Sequence, residues 1–260
     1  MEKSGDILVT GATGLLGSHL LVRLATDGRK VERSKGSSSD LIQGYRIIGL
    51  RRETSNMDDV KKVFSFYGDG WEDLYNSIEW RYGDVLDKDS LEKAIEGIDL
   101  IYHCAAIVSF DPSEREKVIK ANVQGTKNLI NLLLPTSERR MTNDVKTRKL
   151  IHISSTSALG DSPGNNPNFL VNEETPRNPH RTHSGYSVSK YESEKIVWEA
   201  IDQGLDAMIV NPGIILGPGF WDKGSSKLFS TIKKGLMFYT KGGTGYVDVR
   251  DVVEVVVEIA

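Results

Sequence analysis

Ile7-Leu-Val-Thr-Gly-Ala-Thr-Gly-Leu-Leu-Gly17 is the stretch whose reading decides the fold. Ile7, Leu8 and Val9 form a short apolar run of the kind that makes a buried strand. Gly11, Gly14 and Gly17 follow at spacings of three, and Ser18 to Leu24 opens a helical pattern. A strand that turns sharply into a helix calls for glycine. Glycine also lets backbone approach a pyrophosphate, and the helix N-terminus presents unpaired N–H groups to an anion. Gly-rich strand–helix turns arise for packing alone as well, but a position between an apolar strand and an amphipathic helix points to dinucleotide binding. The spacing Gly-x-x-Gly-x-x-Gly differs from the commoner Gly-x-Gly-x-x-Gly.

Outward from this turn, strands and helices alternate. Asp27 to Gly44 is polar and rich in Gly and Ser, and reads as a loop. Tyr45 to Leu50 is the second strand, Asp58 to Tyr67 a helix, Ile78 to Tyr82 the third strand, and Leu91 to Ile95 a helix capped by Asp89 or Ser90. Leu100 to His103 is the fourth strand, and Glu114 to Leu134 a long amphipathic helix with Asn122 inside it. After a polar segment over Thr136 to Arg148 come a fifth strand (Leu150 to Ile153), an aperiodic loop (Asp161 to His183), and a helix from Tyr186 to about Gln203. Ala207 to Val210 is the sixth strand, Leu228 to Lys234 is helical, Met237 to Gly245 is irregular, and a last helix starts at Asp251. This alternation predicts an α/β doubly wound parallel sheet of Rossmann type, with ligands at the strands' C-terminal edge. Residues 1–212 read as the dinucleotide-binding domain. Residues 213–260 read as part of a small C-terminal substrate-binding region, interleaved with loop 160–185; the last helix carries no stop signal, which predicts a longer working protein.

The composition narrows the function classes. With 260 residues and 38% hydrophobic content the chain is long enough for one large core. A net charge of −3 offers no basic field for nucleic acid or a membrane surface. Cys104 is the single cysteine, so no intramolecular disulfide framework exists, in keeping with a reducing, cytoplasmic setting. No apolar run approaches the roughly 20 residues of a membrane helix, and no cluster suggests a metal.

At the predicted ligand edge several residues are candidates. Arg51, helped by Arg52, ends the second strand, where arginine accommodates the 2′-phosphate of NADP(H) and an acidic residue would favour NAD(H). A solvated basic pair is the plain alternative. Arg51 also lies well beyond the usual spacing of about 20 residues after the glycines; were Lys30 to Arg33 the strand instead, Glu32 would compete and NAD would gain. Asp84 and Val85 follow the third strand, as adenine contacts or as an ordinary turn. Ala105 and Ala106 follow the fourth, small enough for a cofactor to lie against the backbone, or small for packing. Ser154 and Ser155 follow the fifth. Tyr186 and Lys190, four apart on one helix, share a face. A buried lysine ammonium beside the phenol would lower its pKa from about 10 and make Tyr186 an acid or base near neutral pH. Lys190 would also hold the nicotinamide ribose, and Ser155 would hydrogen-bond the substrate oxygen as charge develops. Each signal alone is commonly structural; their order behind a nucleotide turn sets them apart.

Thr10-Gly-Ala-Thr-Gly-Leu-Leu-Gly17, Asp84-Val85, His103-Cys-Ala-Ala106, Asn122-Val-x-Gly-Thr126, Ser154-Ser155, Tyr186-x-x-x-Lys190 and Asn211-Pro-Gly213 together resemble the extended short-chain dehydrogenase/reductase family. Ala105-Ala-Ile-Val-Ser-Phe-Asp-Pro112 and the arginines after strand two look like its dihydroflavonol reductase and 3β-hydroxysteroid dehydrogenase branch; the competitor is the nucleotide-sugar epimerase/dehydratase branch. The resemblance implies a Ser155–Tyr186–Lys190 triad with Thr156 as the fallback for the serine, and Asn122 as the family's helix asparagine. It implies the amides of Thr13, Gly14 and Leu15 on the pyrophosphate, and Pro212, Gly213 and Ile215 near the nicotinamide. It also implies a homodimer built on the two long helices. The polar insertion before Tyr45 departs from the family pattern.

Three functions follow as expectations. The first is an NADP(H)-dependent oxidoreductase acting on a small, mainly apolar carbonyl or hydroxyl substrate, with Phe110, Phe169, Phe220 and Trp221 as candidate pocket residues. The second is an epimerase or dehydratase with tightly bound NAD, using Arg177 and Arg181 on a diphosphate. The third is a dinucleotide-binding regulatory module without chemistry.

Overall fold

Six parallel strands in the order β3-β2-β1-β4-β5-β6 form the central sheet. The computed structural model describes residues 5–33, 45–134, 148–166, 168–222, 224–235 and 244–260. In chain order the elements are β1 (Asp6–Thr10), α1 (Leu15–Arg33), β2 (Ile47–Arg51), α2 (Met57–Ser65), α3 (Trp71–Asn76), β3 (Glu79–Tyr82), α4 (Lys88–Ala94), β4 (Ile98–His103), α5 (Arg115–Leu133), β5 (Lys149–Ile153), α6 (Gly185–Asp202) and β6 (Ala207–Val210). The strand order reverses between β1 and β4, so a crevice opens outside their C-terminal ends. The expected doubly wound α/β sheet is present.

Alternation along β1 explains the two layers. Ile7 and Val9 face one core, shared with Leu20, Leu21 and Leu24 of α1. Leu8 faces the other, shared with Ile101 of β4, Leu150 of β5, Leu129 and Ile130 of α5 and Val197 of α6. A parallel sheet covered on both faces needs such continuous apolar strands. Beyond β6, β7 (Ile214–Leu216) and β8 (Tyr246–Asp248) pair in parallel as a separate ribbon flanked by α7 (Lys227–Lys233) and α8 (Val249–Glu258). Val252, Val253 and Val256 of α8 join the same core as α1.

Several expectations need correction. The segment read as a loop from Asp27 continues α1 as far as Arg33. Its charged residues are good helix formers, and the one glycine, Gly28, lowers helix stability by only about 1 kcal/mol. Lys30 to Arg33 is therefore helix and not strand, which removes Glu32 as the competitor of Arg51. Asp87, not Asp89 or Ser90, caps α4, accepting from the Asp89 N–H at 3.2 Å. Helix α3 and the β7–β8 ribbon were not expected. Most of Thr136 to Arg148 and of Met237 to Gly245 lies outside the described residues.

Candidate active site

The turn after β1 assigns different work to its three glycines. Gly11 has φ +65°, and a Cβ there would lie 2.6 Å from the Ala105 backbone nitrogen. At Gly17 it would lie 2.3 Å from the Gly11 carbonyl oxygen. Both are fixed by close backbone packing, and Ala105 is the residue that abuts the turn. Gly14 is exposed, and a Cβ there would meet only the Gly11 oxygen, at 3.3 Å. The Gly14 N–H closes the turn on that same oxygen at 2.9 Å. Ser18 ties the first turn of α1 together, its hydroxyl donating to Gly14 O at 2.7 Å. Thr13 and Leu15 flank the exposed glycine at half-buried positions, and Ala106 is exposed beyond Ala105.

At the end of β2 the Arg51 guanidinium lies over the Tyr82 ring, 4.2 Å from its centroid, and donates to the Tyr82 hydroxyl. Its Nε is buried without a partner. Arg52 is exposed beside it. After β3 the Asp84 carboxylate accepts from the Leu86 N–H at 2.9 Å, the work of a turn aspartate. Val85 is pinned between α5 and its own carbonyl contact: a Cβ on Gly125 would meet it at 2.8 Å, and Asn128 donates to Val85 O at 2.8 Å. An exposed face on Gly14 and an unpartnered guanidinium nitrogen at the end of β2 fit a dinucleotide with its pyrophosphate on the turn.

Ser155, Tyr186 and Lys190 are brought together. Ser155 is buried just past β5, its Oγ accepting from the Ser157 N–H at 3.1 Å. The segment is laced to the end of β6: Ser154 N–H donates to Val210 O at 2.8 Å and Thr156 N–H to Pro212 O at 3.0 Å. Ser184 caps α6 by accepting from Ser187 N–H at 3.1 Å, which fixes Tyr186 in the first turn. The Tyr186 phenol is buried, with the Ser155 hydroxyl as its hydrogen-bonding neighbour and the Phe110 ring edge-on at 5.6 Å. Ser155, rather than Thr156, is thus the hydroxyl at the phenol.

One turn along, the buried Lys190 ammonium donates to Ile153 O at 2.7 Å. Burial pulls its pKa down to about 8, opposed by Cys104 and Glu194. The expectation that Lys190 would lower the tyrosine's pKa is not met. Burial raises the Tyr186 pKa, because phenolate is disfavoured away from water, and Ser155 is the group that opposes the rise. Burial likewise pushes the Cys104 thiol up to about 12, so it is no nucleophile.

Asn122 uses its whole amide structurally. Its Oδ1 accepts from Ile107 N–H at 2.7 Å, and its Nδ2 donates to Ile107 O at 3.0 Å and Ser189 Oγ at 2.9 Å. It fastens the loop after β4 to both long helices. Pro212, Gly213 and Ile215 lead from β6 into β7, where a Gly213 Cβ would lie 2.9 Å from Gly245 O.

The four aromatic residues do not converge. Phe110 stands at Tyr186, whereas Phe220 and Trp221 line a cavity of about 390 Å³ against α2, with Lys62, Lys227 and Lys234. Arg177 and Arg181 are already engaged. Arg177 lies over Tyr191 and donates to Ser187 Oγ at 2.9 Å, and Arg181 pairs with Asp161 at 3.0 Å.

Sequence reasoning missed a second layer of polar residues. His103 Nδ1 bonds Thr10 Oγ1 at 2.7 Å across β1 and β4. Asn211 donates both to Ser155 O, at 3.1 Å, and to the Glu194 carboxylate. Glu194 sits four residues past Lys190, so helix spacing alone could have flagged it.

The model of the NAD dependent epimerase/dehydratase family matches residues 7–260. The chain belongs to that family. Among curated relatives, sterol demethylase protein B of Methylococcus capsulatus is 33% identical over 253 residues, covering 95% of this chain and 63% of that protein. Cinnamoyl-CoA reductase 1 of Petunia hybrida is 28% identical over 257 residues (96% and 67%). A putative dihydroflavonol 4-reductase of Synechocystis is 27% identical over 248 residues (94% and 60%). The chain thus spans about two thirds of the length of these family members. The resemblance to the extended short-chain dehydrogenase/reductase branch agrees with these matches. Among the described residues no helix is long and apolar enough to cross a membrane.

Proposed function

We propose that this chain carries the catalytic centre of an NADP(H)-dependent reductase that interconverts a carbonyl and a hydroxyl on a small, mainly apolar substrate. The observation that carries the reading is the Tyr186 phenol, buried between the Ser155 hydroxyl and the Phe110 ring with Lys190 one turn behind it. The relatives named as reductases support it. Arg177 and Arg181 each already have a partner within this chain, Ser187 and Asp161, which weighs against a diphosphate substrate.

In this reading the Gly14 face, with the Thr13 and Leu15 amides, receives the pyrophosphate. Arg51, with its unpartnered Nε, and Arg52 receive the 2′-phosphate. The bound nicotinamide supplies the hydride. Ser155 donates a hydrogen bond to the substrate oxygen as negative charge grows there. Tyr186 passes its hydroxyl proton to that oxygen, leaving a phenolate that solvent reprotonates. Lys190 holds the nicotinamide ribose hydroxyls, and the Ser155 hydroxyl is the group that favours the phenolate while it lasts. Phe110 offers an apolar wall at the phenol. Asn122 positions the loop that ends β4. Residues 213–260 together with loop 160–185 contribute the substrate side, and the faces of α5 and α6, where Trp198 is exposed, form a homodimer contact.

The test is fluorescence titration with NADPH and NADH of protein first checked for co-purified nucleotide. Empty protein with a preference for NADPH is the expected result. Retained NAD would move the reading to the epimerase branch, and binding of neither would overturn it.

A further inference from the structure

Glu194 is a carboxylate only 9% exposed, on the face of α6 that looks at the sheet. A buried carboxylate is costly unless something compensates it. Here the compensation comes from two directions. Asn211 donates to Glu194 Oε1 through the same amide nitrogen that donates to Ser155 O. Lys190 lies one turn earlier on the same helix, where i and i+4 side chains are neighbours.

We propose that Glu194 is a positioning residue of this centre: through Asn211 it fixes the segment bearing Ser155, and its charge is the counter-ion that keeps Lys190 an ammonium. The inference rests on the roles given above to Ser155 and Lys190.

The surroundings of both groups agree with this assignment. Facing Lys190 are the Ile153 carbonyl, the Cys104 thiol, and His103 and His152. The thiol is pushed up to about 12 and stays neutral; burial pushes both imidazoles down, and they stay neutral too. Glu194 is the acidic group in that shell, and it favours the charged lysine against burial. Facing Glu194 itself are Asn211, the Ser154 hydroxyl, Lys190 and Glu173. On its outer side Glu173, Arg177 and Lys195 help to line a cavity of about 240 Å³ behind the Ser155 segment. Glu173 and burial both raise the Glu194 pKa, so the counter-charge is lost on acidification earlier than an exposed glutamate's would be.

The experiment follows the Lys190 side-chain resonance in the ¹³C-lysine-labelled chain through a pH titration, assigned by its loss in Lys190→Arg. Backbone amide resonances of Ser155 and Thr156 are followed alongside. Glu194→Gln should lower the Lys190 midpoint by about one pH unit. Asn211→Ala should leave that midpoint in place and shift the Ser155 and Thr156 amides. An unmoved Lys190 midpoint in folded Glu194→Gln, or unmoved amides in folded Asn211→Ala, would overturn the proposal. Where Glu194→Gln does not fold, Glu194→Asp replaces it. The shorter acid keeps its charge and loses reach to Asn211, so it should hold the midpoint and shift the amides; any other pattern would overturn the proposal. NADPH titration of the wild-type chain is read separately. Its failure would sink the reductase reading, while the Lys190 midpoint still decides the role of Glu194.

Discussion

Burial and reactivity oppose each other at Tyr186. A phenol shut away from water holds its proton more tightly than a free one and is the weaker acid for it, so the Ser155 hydrogen bond, which favours the phenolate, is what eases proton delivery. Tyr186→Phe removes that proton and little else. Turnover with NADPH on a carbonyl compound found by screening should fall by about 10²- to 10⁴-fold, with NADPH affinity, read by fluorescence, nearly unchanged. A dinucleotide-binding regulator would lose nothing. Arg51 carries a second expectation. Arg51→Ala removes a charged hydrogen-bonding group worth about 1.5–3 kcal/mol, so NADPH affinity should drop by roughly tenfold or more while NADH affinity barely moves. Equal losses for both would reduce Arg51 to a partner of Tyr82. At this scale Ser155, Tyr186 and Lys190 were legible, because helix period and strand-end position place them without knowledge of the packing. The raised phenol and the Glu194–Asn211 link were not legible. Both depend on how deeply groups distant in sequence are buried together.

In the β1–α1 turn Gly11 is packed against backbone and Gly14 is exposed, and two substitutions test the difference. Gly11→Ala forces a side chain into the Ala105 backbone at a left-handed φ. It should destabilise the chain by about 1–3 kcal/mol in urea melts. Gly14→Ala meets only the Gly11 oxygen, at 3.3 Å, a contact that a shift of a few tenths of an ångström relieves. It should leave the melt close to wild type and weaken NADPH binding by about tenfold or more.

The strands behind the turn supply a pH dependence. His103 on β4 and His152 on β5 stack at 5.4 Å and are buried. Burial holds His103 down at about 3 and His152 well below its ordinary range. Unfolded, each would bind a proton near pH 6.5, so the unfolded state takes up more protons as pH falls. Stability is complete above pH 6.5 and drains as pH drops towards 3, by about 2 kcal/mol per histidine at pH 5. Urea melts at pH 7 and pH 5 should show the loss, and His103→Gln should lessen it. The long elements were legible from periodicity, whereas α3, β7 and β8 are too short to carry a period. The two strands of the ribbon also find each other only in space. The extension of α1 was hidden because its last residues are nearly all polar and resemble a loop in composition.

Across the whole molecule, α8 is the piece that joins the C-terminal part to the nucleotide half. Its valines pack on α1, and Arg23 of α1 pairs with Glu254 at 2.7 Å. The exposed ion pair contributes little beside the valines. Val256 is fully buried, so Val256→Ala should destabilise the chain by about 2 kcal/mol. The same melt should report it as a single transition if both parts unfold together.

Tyr186, Ser189, Lys190 and Glu194 all ride on α6, and each meets its partner at one angular setting of that helix. Replacing a side chain there costs one contact. Adding or deleting a single residue between Tyr186 and Glu194 instead rotates everything beyond it by about 100°, and no local repacking restores the match. Length is therefore the trait this helix cannot vary. Loop 161–183, anchored to itself through Asp161, Asn178 and Arg181, is where insertions and deletions can accumulate without turning that helix.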